Sequence, residues 1–200
     1  MAVKTVKASI NGQDYTLTYD EVSGSYKATI TAPSKSSYNN NDGHYYPVSV
    51  TATDDAGNST TVTDTDVTFG DDLKLKVKEK VKPIIAVTYP TASATITSAT
   101  PTITWTVTDD DSGIDEATIA IKIDSGTYVT SGITTTAITK GFNCSYKIPT
   151  SLSNGAHSFS LKVSDHDGNA ATEVVTSFTV DTVPPALTIM SPADGLITNK

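Results

Sequence analysis

Five aspartates stand in two short clusters: Asp109-Asp110-Asp111, and Asp165 and Asp167 within Asp165-His166-Asp167-Gly168-Asn169. Carboxylates that converge repel one another unless a cation lies between them, and hard oxygen ligands on flexible loops suit Ca²⁺. If folding brings the two clusters together, calcium held by Asp109, Asp110, Asp111, Asp165 and Asp167 is the expected chemistry. Ordinary turns are the competing explanation, because Asp-Gly-Asn is common turn chemistry. A lysine-rich run upstream, "LKLKVKEKVK" (Leu73–Lys82), offers a second way to neutralise the charge. A different chemistry is suggested by "SSYNNNDGHYY" (Ser36–Tyr46). Rigid aromatics mixed with adaptable amides bind sugars or proteins at small entropic cost, so Tyr38, Asn40, Asn41 and Tyr45 are candidate ligand-binding residues. The alternative is a structural corner in which Tyr46 packs back on the backbone and the asparagines form turns.

Catalysis finds little support. The three histidines, His44, His157 and His166, lack metal-ligand spacing such as HExxH. His166 lies between two aspartates, but no activated serine or cysteine accompanies it. Glu21, Glu79, Glu116 and Glu173 show no paired setting for glycoside hydrolysis. Cys144 opens the apolar-polar run "CSYKI" and reads as a packed thiol. The expectation is a protein that is not an enzyme.

Composition narrows the classes further. Two hundred residues suffice for one large or two ordinary domains. All 14 basic residues are lysine and the formal net charge is −8, which argues against nucleic-acid binding. Roughly one residue in six is threonine, and valine, isoleucine and tyrosine are frequent, a usage suited to half-buried strands. No run reaches the ~18 apolar residues of a membrane span. The single cysteine cannot form an intrachain disulfide. The N-terminal segment alternates polar and apolar residues and lacks the apolar core of a signal peptide.

Strands must position these residues. Ile103, Trp105 and Val107 alternate with threonines, and Phe159, Leu161 and Val163 alternate with polar residues. Val48, Val50 and Ala52 repeat the pattern, and each run is bounded by Gly, Pro, Asn or Asp. Asn11-Gly12 predicts a hairpin, since both turn positions need positive φ. Internal repeats organise the whole. "VTATDDAGN" (Val50–Asn58) lies over "LKVSDHDGN" (Leu161–Asn169) at an offset of 161 − 50 = 111, which puts Tyr46 on His157. "TVKASINGQDY" from Thr5 lies over "TIAIKIDSGTY" from Thr118, and "SYK" at Ser25 over "SYK" at Ser145. "PIIAVTYPTASATIT" from Pro83 matches "PALTIMSPADGLIT" from Pro185 with one gap.

The motifs "NDGHYYPVSVTATDDAGN", "NGAHSFSLKVSDHDGN" and "DDDSGIDEATIAI", with the linker "VDTVPPALTIMSP", resemble the immunoglobulin-like repeats of bacterial surface proteins and phage tail proteins. The resemblance implies an all-β chain of tandem immunoglobulin-like β-sandwiches used as spacers, adhesive stalks or virion decorations. Two departures are the absence of a cysteine pair and His157 where a tyrosine is usual at the corner. In such a topology the Asp109–Asp111 and Asp165–Asn169 loops emerge at one end of the sandwich, beside the joint to the preceding repeat.

The expected organisation is an atypical first domain over 1–82, a second over 83–182, and the first strand of a third repeat over 183–200. The first lacks its two opening strands, and Leu73–Lys82 is expected to close it as a strand with lysines outward and Leu73, Leu75, Val77 and Val81 inward. The expected role is a structural module of an extracellular assembly. A phage tail or virion is favoured over a cell-surface adhesin, because no signal peptide is seen. Its partners would be neighbouring subunits or repeats, or a surface glycan, without nucleic acid or membrane insertion.

Overall fold

The computed structural model describes residues 2–188. Period-two alternation produces strands almost throughout. Unit one contains β1 (Val3–Ile10), β2 (Gln13–Asp20), β3 (Ser25–Lys27), β4 (Tyr46–Asp54), β5 (Ser59–Thr63) and, after a 3₁₀ turn at Gly70–Leu73, β6 (Lys74–Leu75). Unit two contains β7 (Ile84–Tyr89), β8 (Thr95–Ile96), β9 (Thr102–Thr108), β10 (Ile114–Ile123), β11 (Ile133–Ile138), β12 (Gly141–Lys147), β13 (Gly155–Asp165) and β14 (Val174–Val180).

Unit two is two four-stranded sheets, ordered β10-β13-β14-β8 and β11-β12-β9-β7, so the first strand region contributes to both layers. Their facing sides form the core. Ile103, Trp105 and Val107 of β9 meet Phe159, Leu161 and Val163 of β13, with Phe178 and Val180 of β14. Cys144 lies in this core opposite Trp105, and burial pushes its thiol up to about 12. A thiol so far above neutrality stays protonated and unreactive.

Unit one differs from the expected sandwich, although it too is all β. Its strands form one sheet, β3-β2-β1-β4-β5, with β6 pairing β4 at Tyr46 and Pro47. The predicted hairpin is present: Asn11 and Gly12 have φ of 50° and 75° and close the Ile10–Gln13 pair. One face collects Val6, Ala8 and Ile10 with Leu17, Tyr15, Val48, Val50 and Ala52 beside them. On the β4–β5 ladder, Thr51 and Thr53 hydroxyls pair with Thr61 and Ser59 at 2.8 Å, which gives some of the threonines a cross-strand role. "SYK" at Ser25 and "SYK" at Ser145 occupy different places despite their alignment. Asp20 accepts N–H bonds from Val22 and Ser23, a tight turn that returns β3 onto β2 in the same sheet. In unit two, residues 124–132 instead carry the chain to the opposite sheet.

The Leu73–Lys82 expectation also needs correction. Only Lys74 and Leu75 pair as strand, and residues 76–83 run on without a ladder. The alternation survives, with Lys76, Lys78 and Lys80 exposed and Leu75, Val77 and Glu79 partly covered, whereas Val81 is exposed. Ser37 holds this run instead: its N–H donates to Val77 O at 2.9 Å, and Val77 N–H donates to Ser37 Oγ at 3.1 Å.

The aligned Tyr46 and His157 do the same work by different chemistry. Tyr46 is buried and its hydroxyl donates to Lys35 O at 3.3 Å. His157 places Nδ1 2.8 Å from Asp124 Oδ2 and Nε2 2.9 Å from Ser153 O. Two acceptors favour the doubly protonated ring, and the Asp124 carboxylate raises its pKa above the ordinary 6.5. A raised pKa means that the stabilisation is complete below the unfolded value and is lost as pH rises through the folded one. Unit two should therefore lose thermal stability from about pH 6.5 upward. His157→Gln should flatten that slope in a series of melting curves.

The expected third-repeat strand over 183–200 is described only to residue 188. That part carries no strand, and Leu187 is 87% exposed. Residues 189–200 lie outside the described residues.

Candidate functional site

The two aspartate clusters do converge, at the end of unit two that meets unit one. β9 ends at Thr108 and β13 at Asp165, and the loops they enter are tied by the His166 N–H to Gly113 O bond of 3.1 Å. The residues then divide into three kinds. Asp110 points outward, 76% exposed, in an ion pair of 2.9 Å with Lys140 that lowers its pKa. Asp111 and Asp167 reach across to unit one. Both Asp111 carboxylate oxygens accept from Ser36 N–H at 3.1 Å, and Asp111 O accepts from Asn39 Nδ2 at 2.6 Å. Asp167 Oδ2 accepts from Glu79 N–H at 2.9 Å, while its backbone carbonyl accepts from Lys78 Nζ at 3.1 Å.

Asp109 and Asp165 face inward, 5% and 2% exposed. Each holds its own loop: Asp109 Oδ1 accepts from Asp111 and Gly113 N–H, and Asp165 Oδ1 accepts from Asn169 N–H at 2.7 Å. The repeat preserves the second device, since Asp54 accepts from Asn58 N–H and Nδ2 in unit one. The third member of this inner group is Glu79. One oxygen from each of Glu79, Asp109 and Asp165 lies within 4.8 Å of the others. Asn169 Nδ2 donates to both Glu79 Oε1 at 3.2 Å and Asp165 Oδ2 at 2.7 Å, and Ser112 Oγ donates to Glu79 Oε1 at 3.3 Å. Burial, followed by the nearby Asp165 carboxyl, raises the Glu79 pKa. Glu79 is not among the expected ligands, yet the sequence carries a signal for it. It occupies the apolar phase of Leu73, Leu75, Val77 and Val81, where a carboxylate has no packing role.

The Tyr/Asn loop supplies the rest of the joint. Tyr38 is stacked between His44 and His166, each ring centroid 4.0 Å away and nearly parallel. Asn40 Nδ2 donates to Tyr45 O, and Asn41 Oδ1 accepts from Gly43 and Tyr45 N–H. Tyr45 donates to Asp64 Oδ2 at 2.9 Å. The four candidate ligand-binding residues thus sit in one loop, with Tyr38 against unit two and the other three bonded within unit one.

The facing sheets of unit two, with their strand order and corner, define an immunoglobulin-like β-sandwich. Residues 87–182 match a family described as a bacterial Ig-like domain, and residues 2–71 match a second family of the same description. The two matches identify bacterial Ig-like domains over residues 2–71 and 87–182. No curated protein sequence matches it significantly. Among solved structures it is similar to the CbhA fibronectin(III)-like modules of Clostridium thermocellum, at 19% identity over 89% of this chain and 78% of that one, TM-score 0.38. It is also similar to CopC from Methylosinus trichosporium, at 22% identity over 49% of this chain and 94% of that one, TM-score 0.37. A titin I-band fragment is similar at 13% identity, covering 89% of this chain and 55% of the fragment, TM-score 0.46. Bacterial Ig-like domains are commonly extracellular or surface-exposed and typically non-enzymatic. Among the described residues no helix is long and apolar enough to cross a membrane.

Proposed function

We propose that this chain is a non-enzymatic spacer of an extracellular assembly, in which two Ig-like units are held at a set angle by a built joint. The observation that carries the reading is the Tyr38 ring packed between His44 and His166, flanked by Asp111 and Asp167 taking the N–H groups of Ser36 and Glu79. A flexible linker would need none of these contacts; a spacer that transmits orientation needs all of them. Aromatic stacking contributes about 0.5–1.5 kcal/mol per pair. A bond to a charged acceptor contributes about 1.5–3 kcal/mol. Tyr38→Ala with Asp111→Ala should therefore release the joint while leaving each unit folded. ¹⁵N relaxation would check this: the two units should share one correlation time in the parent chain and tumble separately in the double variant. Separate tumbling in the parent chain would overturn the reading.

The finer reading is a phage-tail or other virion component, and its support is the resemblance of the repeat motifs and the linker. Mass spectrometry of purified virions, set against the cell-envelope fraction of the same culture, distinguishes this assembly from a surface adhesin.

A further inference from the structure

We propose that Glu79, Asp109 and Asp165 form a calcium site, in which the segment leaving unit one completes a pair of carboxylates from unit two. The inference rests on the joint described above and adds an occupant to it. Calcium binds oxygens at about 2.3–2.6 Å, so oxygens on opposite sides of one ion lie up to about 5 Å apart. The three carboxylates each offer an oxygen within 4.8 Å of the others, which is compatible with a single ion between them.

An independent observation asks for a ligand at this place. Asp109 Oδ2 is buried and has no hydrogen-bond partner, the only such side-chain atom among the described residues. Its sister oxygen is occupied by the Asp111 and Gly113 N–H groups, which hold the carboxylate in position. A buried carboxylate oxygen without a donor loses its hydration and recovers nothing, unless a cation supplies the missing interaction. No lysine supplies it. Among the described residues, the salt bridges near the joint run from Lys35 to Asp111 and from Lys140 to Asp110, and none reaches Glu79, Asp109 or Asp165. Lys78 is bonded to the Asp167 carbonyl.

The chemistry of the surroundings selects the ion. All three charged ligands are oxygens, with no thiolate or imidazole among them, so a hard cation is favoured over zinc. They come from three separate segments, the run after β6, the loop after β9 and the end of β13, and a shell assembled in this way suits the adaptable coordination of calcium better than the strict octahedron of magnesium. The Ser112 hydroxyl, which contacts Glu79, adds one neutral oxygen beside the carboxylates, while the Asn169 amide donates from Nδ2 to Glu79 and Asp165 and holds the two in place.

The test is calorimetric titration of the whole chain with CaCl₂ after chelator treatment. One site is expected, with a Kd of about 0.1–1 mM, the range of extracellular oxygen-ligand modules. Glu79→Gln and Asp109→Asn should each weaken binding by about tenfold or more, because ligand charge count sets the affinity. Asp110→Asn should bind as the parent does, since Asp110 faces Lys140 outside the triad. Glu79→Gln leaves the backbone contacts of Glu79 intact and keeps the test meaningful if Asp109→Asn disturbs its own loop. No binding by the parent chain, or unaltered binding by Glu79→Gln, overturns the site. Relaxation measured in chelator separates this outcome from the joint. One correlation time without calcium binding leaves the spacer reading standing and removes the ion alone, whereas independent tumbling with calcium bound removes the spacer reading.

Discussion

Trp105→Ala should destabilise unit two by about 3–5 kcal/mol, the cost of removing a large aromatic from a packed core. The side chain is 1% exposed, on the central residue of β9, between Ile103 and Val107, and faces the Phe159–Leu161 layer of the opposite sheet. No neighbour can fill the space, because the strands on both sides of Trp105 are fixed by ladder pairs at Cys144 and Val87. A domain of this size loses about 4–8 °C of Tm for each kcal/mol. Calorimetry should therefore show the unit-two transition falling by well over ten degrees. In the parent chain this single tryptophan should emit at short wavelength and resist aqueous quenching. Emission typical of a water-exposed indole would contradict the core described here.

Gly141→Ala should be nearly as damaging, for a steric reason rather than a lost contact. Gly141 opens β12 opposite Thr108, and a Cβ added there would lie 1.9 Å from Val107 O and 2.9 Å from Thr108 Cα. Those atoms are backbone, so relief requires the β9–β12 ladder to separate at its end. Overpacking of this kind costs about 1–3 kcal/mol, and a backbone clash belongs at the upper end. The displaced strand leads directly into Asp109, whose N–H donates to Lys140 O at 2.9 Å. Gly141→Ala should thus lower the melting temperature and also weaken calcium binding at the joint. Calcium affinity unchanged in a destabilised Gly141→Ala chain would show that the ladder end does not position Asp109.

Local physics accounts for what was legible without coordinates. Alternation at Ile103, Trp105 and Val107 dictates which side of β9 is buried whatever the strand packs against, and Asn11-Gly12 selects its turn from backbone sterics alone. The repeat offset carried equivalent roles correctly for Asp54 and Asp165 and for Tyr46 and His157, because each pair acts on backbone close by. The offset did not carry over to the two "SYK" segments, whose sheet is decided by how the preceding turn sends the chain.

Only tertiary structure could sort the aspartates. Asp109, Asp110 and Asp111 are consecutive, yet one is buried in the triad, one is ion-paired at the surface and one caps unit one. No pattern within three residues encodes that division, since it depends on where Ser36 and Lys140 arrive. Glu79 and Asn169 meet across 90 positions of chain, and Tyr38 meets His166 across the same joint. In the sequence Glu79 was visible only as a charge in an apolar phase. Its meaning comes from packing, because a carboxylate becomes a ligand or a liability according to what else is buried beside it.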